Sequence, residues 1–133
     1  MSPTVKAKVS PTPAKAARAA AERAAEEEAK EIVRERSGGV CEGCGSARAT
    51  NWAHRVAKGH GGPWDAANGL HLCGMGNASG CHGFSHQKPL EAQALGWIVE
   101  SHDVDRIREI PVQHAWLGRV LLTSDGRVIP VPD

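Results

Sequence analysis

Tyrosine is absent from this chain and phenylalanine occurs once, so aromatic residues make up only 4% of the sequence. No stretch approaches the roughly 20 consecutive apolar residues of a membrane span, and no transmembrane helix is expected. No apolar core follows the first lysines, so no secretory signal is read either. The 15 glycines follow no three-residue period, which excludes a collagen-like chain. An excess of charge is lacking too: 16 basic residues face 15 acidic ones, and the net charge of +1 says nothing by itself about partners.

What is present is unevenly spread. The 133 residues suffice for one small domain and a tail. Tryptophan, leucine, isoleucine and valine persist from Trp52 onward, so most of the chain is not a disordered polymer. Residues 41–89 carry Arg48, Arg55, Lys58 and Lys88 against only Glu42 and Asp65, with five of the seven histidines. That middle stretch is the face expected to meet an anionic partner.

Residues 1–13, with three prolines, read as a disordered leader. Residues 14–37 are almost entirely Ala, Glu, Arg and Lys, all strong helix formers, and Ser37-Gly38-Gly39 stops the helix. Its stripe is mostly alanine until Ile32 and Val33, so only the last turns should dock. It reads as a solvated spacer, with a partner-binding helix as the alternative.

Residues 38–96 form the next unit, and up to Pro89 it is poor in large apolar residues. A bound metal can replace hydrophobic burial in such a segment. Cys41 and Cys44 form a C-x2-C knuckle, and Cys73 and Cys81 supply a second, looser pair. Four thiolates suit a closed, tetrahedral structural zinc; redox or disulfide chemistry is the alternative. Short strands are expected near 50–55 and 69–73, separated by a glycine-rich loop, then helices at about 82–88 and 89–95. Residues 97–133 read as an extension, with Trp97 and Trp116 completing its core. It ends in a hairpin at Arg119–Val131 turned by Ser124-Asp125-Gly126.

His82 and His86 lie four residues apart, on one face of the expected helix, a geometry that suits two imidazoles on one divalent ion. His54 ends the first expected strand, and Asn68 precedes the second.

In this order and between these cysteine pairs, the array resembles the HNH endonuclease family. It is most similar to the small zinc-stabilised HNH proteins of actinobacterial phages. The resemblance rests on Cys41-Glu-Gly-Cys44, Ala53-His54-Arg55 with Gly61-Gly62, Asn68-Gly69-Leu70-His71-Leu72-Cys73 and Gly80-Cys81-His82-Gly83-Phe84. It implies an α+β fold: a ββα-metal module with a structural four-cysteine zinc knuckle, a long helix before it, and a short helix and hairpin after it. It also implies a phosphodiester hydrolase acting on DNA, leaving 5′-phosphate and 3′-hydroxyl ends. His54 falls on the general base, and Asn68 on the asparagine that holds the base segment through the loop between the strands. His82 and His86 fall on the ligands of a catalytic divalent ion (Mg²⁺, Mn²⁺, Ni²⁺ or Zn²⁺).

Arg55 and Lys58, flanking the base, are expected to meet DNA phosphates. Position 53, which in this family supplies a third ligand as His or Asp, is Ala53 here. His60 and His71 are the nearby candidates to replace it. The family context implies a terminase or another DNA-packaging protein as partner, and the host cytoplasm as location. The contrasting expectation is a catalytically inactive zinc module that binds nucleic acid or acts as an adaptor, with the helix as its docking element.

Overall fold

The computed structural model describes residues 10–132; most of the expected leader lies outside them. The fold is mixed α+β, a long helix followed by two small antiparallel sheets and two short helices.

Helix α1 (Pro13–Ser37) begins where Thr12 accepts a hydrogen bond from the Lys15 amide, with proline in the first turn. It ends on Gly38, whose left-handed backbone lets its N–H return to the Arg34 carbonyl. The side chains through Ala24 are exposed, and burial starts at Ala25 and deepens at Ala29, Val33 and Ser37. Alanine offers too little surface to dock the earlier turns, so the first half of the helix projects.

The knuckle follows: the Cys41 amide donates to Ala47 O, and the Gly45 amide to Cys41 O. Strands β1 (Asn51–His54) and β2 (Gly69–Leu72) pair antiparallel, with His54 opposite Gly69 and Trp52 opposite His71. The Trp52 indole lies so close over Gly69 that an added Cβ would sit 2.0 Å from its ring, and only glycine fits there. Helix α2 (Gly80–Gln87) and helix α3 (Pro89–Ala94) come next. A 3₁₀ stretch at Ser101–Glu109 leads into β3 (Val112–His114), β4 (Gly118–Leu122) and β5 (Val128–Pro130), in sheet order β3-β4-β5.

Two features depart from the sequence expectation. The C-terminal hairpin gains a third strand, β3, too short to show an alternating pattern. Trp116, expected in the core, is instead 47% exposed on the turn between β3 and β4, while Trp97 is buried. The last third of the chain shares one apolar core with the rest. Cys41, Leu70, Leu72, Trp97, Val112 and Val120 all belong to it.

Beneath that core runs a buried ionic network. Glu42 is 1% exposed. Its carboxylate accepts from Arg36 Nε (2.8 Å) and Nη2 (2.9 Å), from the His71 amide (2.9 Å) and from His114 Nε2 (2.9 Å). Arg36 also donates to the carbonyls of Ala66 and Gly69. One carboxylate therefore ties α1, β2 and β3 together.

Candidate functional site

The four cysteines converge. Their sulfurs all lie within 4.8 Å of one another, so the cluster can hold a metal ion such as zinc. A tetrahedral zinc with Zn–S bonds of about 2.3 Å sets its sulfurs about 3.8 Å apart, and Cys44 Sγ and Cys73 Sγ stand 3.8 Å apart. Amide N–H groups turn toward the sulfurs: Cys44 and Cys73 donate to Cys41 Sγ, and Cys81 to Cys73 Sγ. Such donors stabilise thiolates. Hydrogen bonds from Ser46 draw the Cys44 thiol down to about 6, while burial pushes Cys73 and Cys81 up. Because Cys73 directly follows β2 and Cys81 lies in the first turn of α2, the cluster also fixes the start of that helix.

Beside it, β1, the loop after β1 and α2 enclose a cavity of about 370 Å³. His54, Lys58, His60, His82 and His86 all line it. The rings of His82 and His86 meet edge-on with centroids 4.8 Å apart. His82 Nδ1 lies 2.6 Å from the Gly76 carbonyl. A carbonyl can only accept, so Nδ1 carries the proton and Nε2 keeps its lone pair. A histidine held this way is oriented to ligate a metal. Burial, then the neighbouring His82, lowers the pKa of His86, which favours the neutral form a metal requires.

The His54 ring packs with Trp52 and Trp64 in a mutual triad, with centroids 4.7 Å (His54–Trp52), 4.4 Å (His54–Trp64) and 4.9 Å (Trp52–Trp64) apart. Burial and then the charge of Lys58 hold its pKa below the ordinary histidine value, against an opposing pull from Glu26. The imidazole is therefore neutral, the form that accepts a proton. His54 Nε2, Trp52 Nε1 and Trp64 Nε1 are buried without hydrogen-bond partners among the described residues.

Asn68 is fully buried. Its Oδ1 accepts from the Val56 amide at 2.8 Å, and its Nδ2 donates to the carbonyls of Val56 and Pro63. It thus closes the loop from Val56 to Pro63 at both ends, directly after His54.

Arg55 requires a correction: it does not reach solvent and cannot meet a DNA phosphate. Its side chain is buried at 1% exposure and donates to four carbonyls, Gly96 (2.8 Å), Ala67 (3.0 Å), Ile107 (3.2 Å) and Ile110 (2.9 Å). Burial, then the nearby Arg36, draws its pKa down to about 9, so it stays charged at neutral pH. The planar guanidinium serves four acceptors that a compact ammonium cannot reach together. Arg55→Lys should therefore leave carbonyls unpaired and cost about 2–4 kcal/mol, read as a lower urea midpoint. A midpoint equal to wild type would refute this role.

Lys58 does stay at the mouth of the cavity, exposed, 3.5 Å from Glu22 of α1 and 5.5 Å from the Trp64 ring centroid. His71 is turned elsewhere: its Nδ1 meets Ser37 Oγ at 2.7 Å, and it does not line the cavity. Ala53, buried in the core, adds no donor atom. His114, which has no motif around it, proves to be a fully enclosed partner of Glu42. Their separation of 72 residues leaves no local signal.

Among the described residues no helix is long and apolar enough to cross a membrane. Comparison with known protein families, with curated proteins and with solved structures found no match to this chain.

Proposed function

We propose that this chain is a metal-dependent DNA endonuclease of the HNH type, in which β1, β2 and α2 form the ββα-metal module and the four-cysteine cluster is a structural zinc knuckle. One observation carries the reading. His54 with a lowered pKa, an oriented His82–His86 pair and an exposed Lys58 line one cavity.

In this reading His54 takes a proton from water. The resulting hydroxide attacks the phosphorus in line, and the bond to the 3′ oxygen breaks, leaving 5′-phosphate and 3′-hydroxyl ends. A divalent ion held by His82 and His86 supplies positive charge to the phosphate and the departing oxygen when bound. Lys58 meets a backbone phosphate and adds no sequence preference. Asn68 keeps the base segment in place. A role beside a DNA-packaging terminase belongs to the same proposal.

Ala53 favours a second reading, a zinc module that binds nucleic acid without cutting it, because it leaves the ion short of a ligand at the β1 wall. Nicking of supercoiled plasmid separates the two. Wild type should nick in Mn²⁺ or Ni²⁺ and stop in EDTA. His54→Ala should lower the rate by about 10²–10⁴-fold while DNA binding in a mobility-shift assay is retained. Wild-type protein that binds DNA but is inert in every metal would support the binding module instead.

A further inference from the structure

We infer that Lys30 of α1 joins Lys58 in a cationic cleft that takes neighbouring backbone phosphates of a nucleic acid beside His54, with the Trp64 ring as its floor; the inference rests on the endonuclease reading of that cavity. The two ammonium groups come from separate elements and meet at one indole. Lys30 Nζ lies 5.1 Å and Lys58 Nζ 5.5 Å from the Trp64 ring centroid. Both fall inside the range of about 6 Å over which a tryptophan face attracts a cation. The same ring packs on the His54 imidazole, with centroids 4.4 Å apart. Both lysine charges act on that imidazole, Lys58 more strongly than Lys30. Like charges brought to one ring repel each other, and anionic groups beside them relieve the repulsion.

In the free protein, carboxylates of α1 fill that role. Glu26 Oε2 stands 3.4 Å from Lys30 Nζ, and Glu22 Oε1 stands 3.5 Å from Lys58 Nζ. Glu22, Glu26 and Lys30 follow one another at four-residue steps, so they share one face of the helix. Glu22 and Glu26 line a groove together with Lys58. All four side chains stay between 35% and 59% exposed. Ion pairs this open are weak, and the phosphates of a polyanion compete with them. Nucleic acid therefore takes the place of the two glutamates, and α1 belongs to the site rather than serving only as a spacer before it.

The test is the salt dependence of duplex DNA binding by the zinc-loaded full chain, read by fluorescence anisotropy with no further metal added. Each phosphate neutralised by a lysine contributes about 0.9 to the slope of log K against log salt. Lys30→Ala and Lys58→Ala should each flatten the slope by about that amount, and the double variant by about twice as much. Arg106→Ala, at an exposed cation paired with Glu109 and outside the cavity lining, should leave it unchanged. Glu22→Gln should tighten binding by about 1.5–5-fold, the equivalent of one exposed ion pair. An unaltered slope in Lys30→Ala beside a flattened one in Lys58→Ala would overturn the part assigned to Lys30 and leave the endonuclease reading standing. Unaltered slopes in both would overturn the cleft. Binding unchanged or weakened in Glu22→Gln would overturn the exchange with the helix carboxylates. Wild type that binds no DNA at any salt would overturn the endonuclease reading together with the inference.

Discussion

Chain stripped of metal by a strong chelator is expected to lose its tertiary structure from the knuckle through the last sheet, not merely to loosen one loop. Cys41 is fully buried, accepts amide hydrogen bonds from Cys44 and Cys73, and belongs to the same apolar core as Leu70, Trp97 and Val120. Without an ion, four thiols crowd where four thiolates would be neutralised. Structural zinc contributes roughly 10–16 kcal/mol in small domains, as much as the whole stability of an ordinary domain, about 5–15 kcal/mol. Cys41→Ser should behave as the chelated protein does. Near-ultraviolet circular dichroism of the tryptophans, followed alongside zinc release, is the measurement. A metal-free chain with an intact cooperative transition would sink the structural role of the cluster.

The second large effect lies at Glu42. Glu42→Gln is expected to cost about 3–5 kcal/mol, because it leaves the Arg36 guanidinium without its counter-charge in a buried position. The Arg36 side chain is only 2% exposed. Burial alone would raise the carboxyl pKa, but hydrogen bonds from His114 and Arg36, the charge of Arg36 and the His71 amide prevail and bring it from 4.5 to about 2. A depressed carboxyl pKa stabilises the fold fully above pH 4.5, and that contribution is lost as pH falls toward 2. The difference corresponds to about 3 kcal/mol. Wild type should therefore show a steep fall in unfolding free energy across this window, and the Gln variant a shallower one. An acid limb of equal depth in both proteins would refute the assignment.

Local chemistry was readable in the sequence. The α1 boundary follows from Ser37-Gly38-Gly39, and the cysteine spacing anticipated one cluster. His82 and His86 face one another because four residues make about one helical turn. Buried charge was not readable. Arg55 looks like a surface cation beside a candidate base, since nothing near it in sequence reveals that Gly96, Ile107 and Ile110 will turn their carbonyls toward it. Glu42 is hidden in the same way: its partners Arg36, His71 and His114 come from three separate elements. Trp116 misled for the opposite reason. A large aromatic ring suggests a core position, but a tight strand connection leaves it outside.

The carbonyl clamp around Arg55 also orders events during synthesis. At about 5–20 residues per second, the stretch from His54 to His114 takes roughly 3–12 seconds to make. Until Ile107 and Ile110 have emerged, the guanidinium lacks two of its four acceptors, and until His114 has emerged Glu42 lacks its last partner. All four cysteines precede those residues, so a metal ion can cross-link the nascent chain before the Arg55 clamp is complete. Assembly then runs from the knuckle outward, and the Arg55 clamp and the last sheet are among the last parts of the molecule to close.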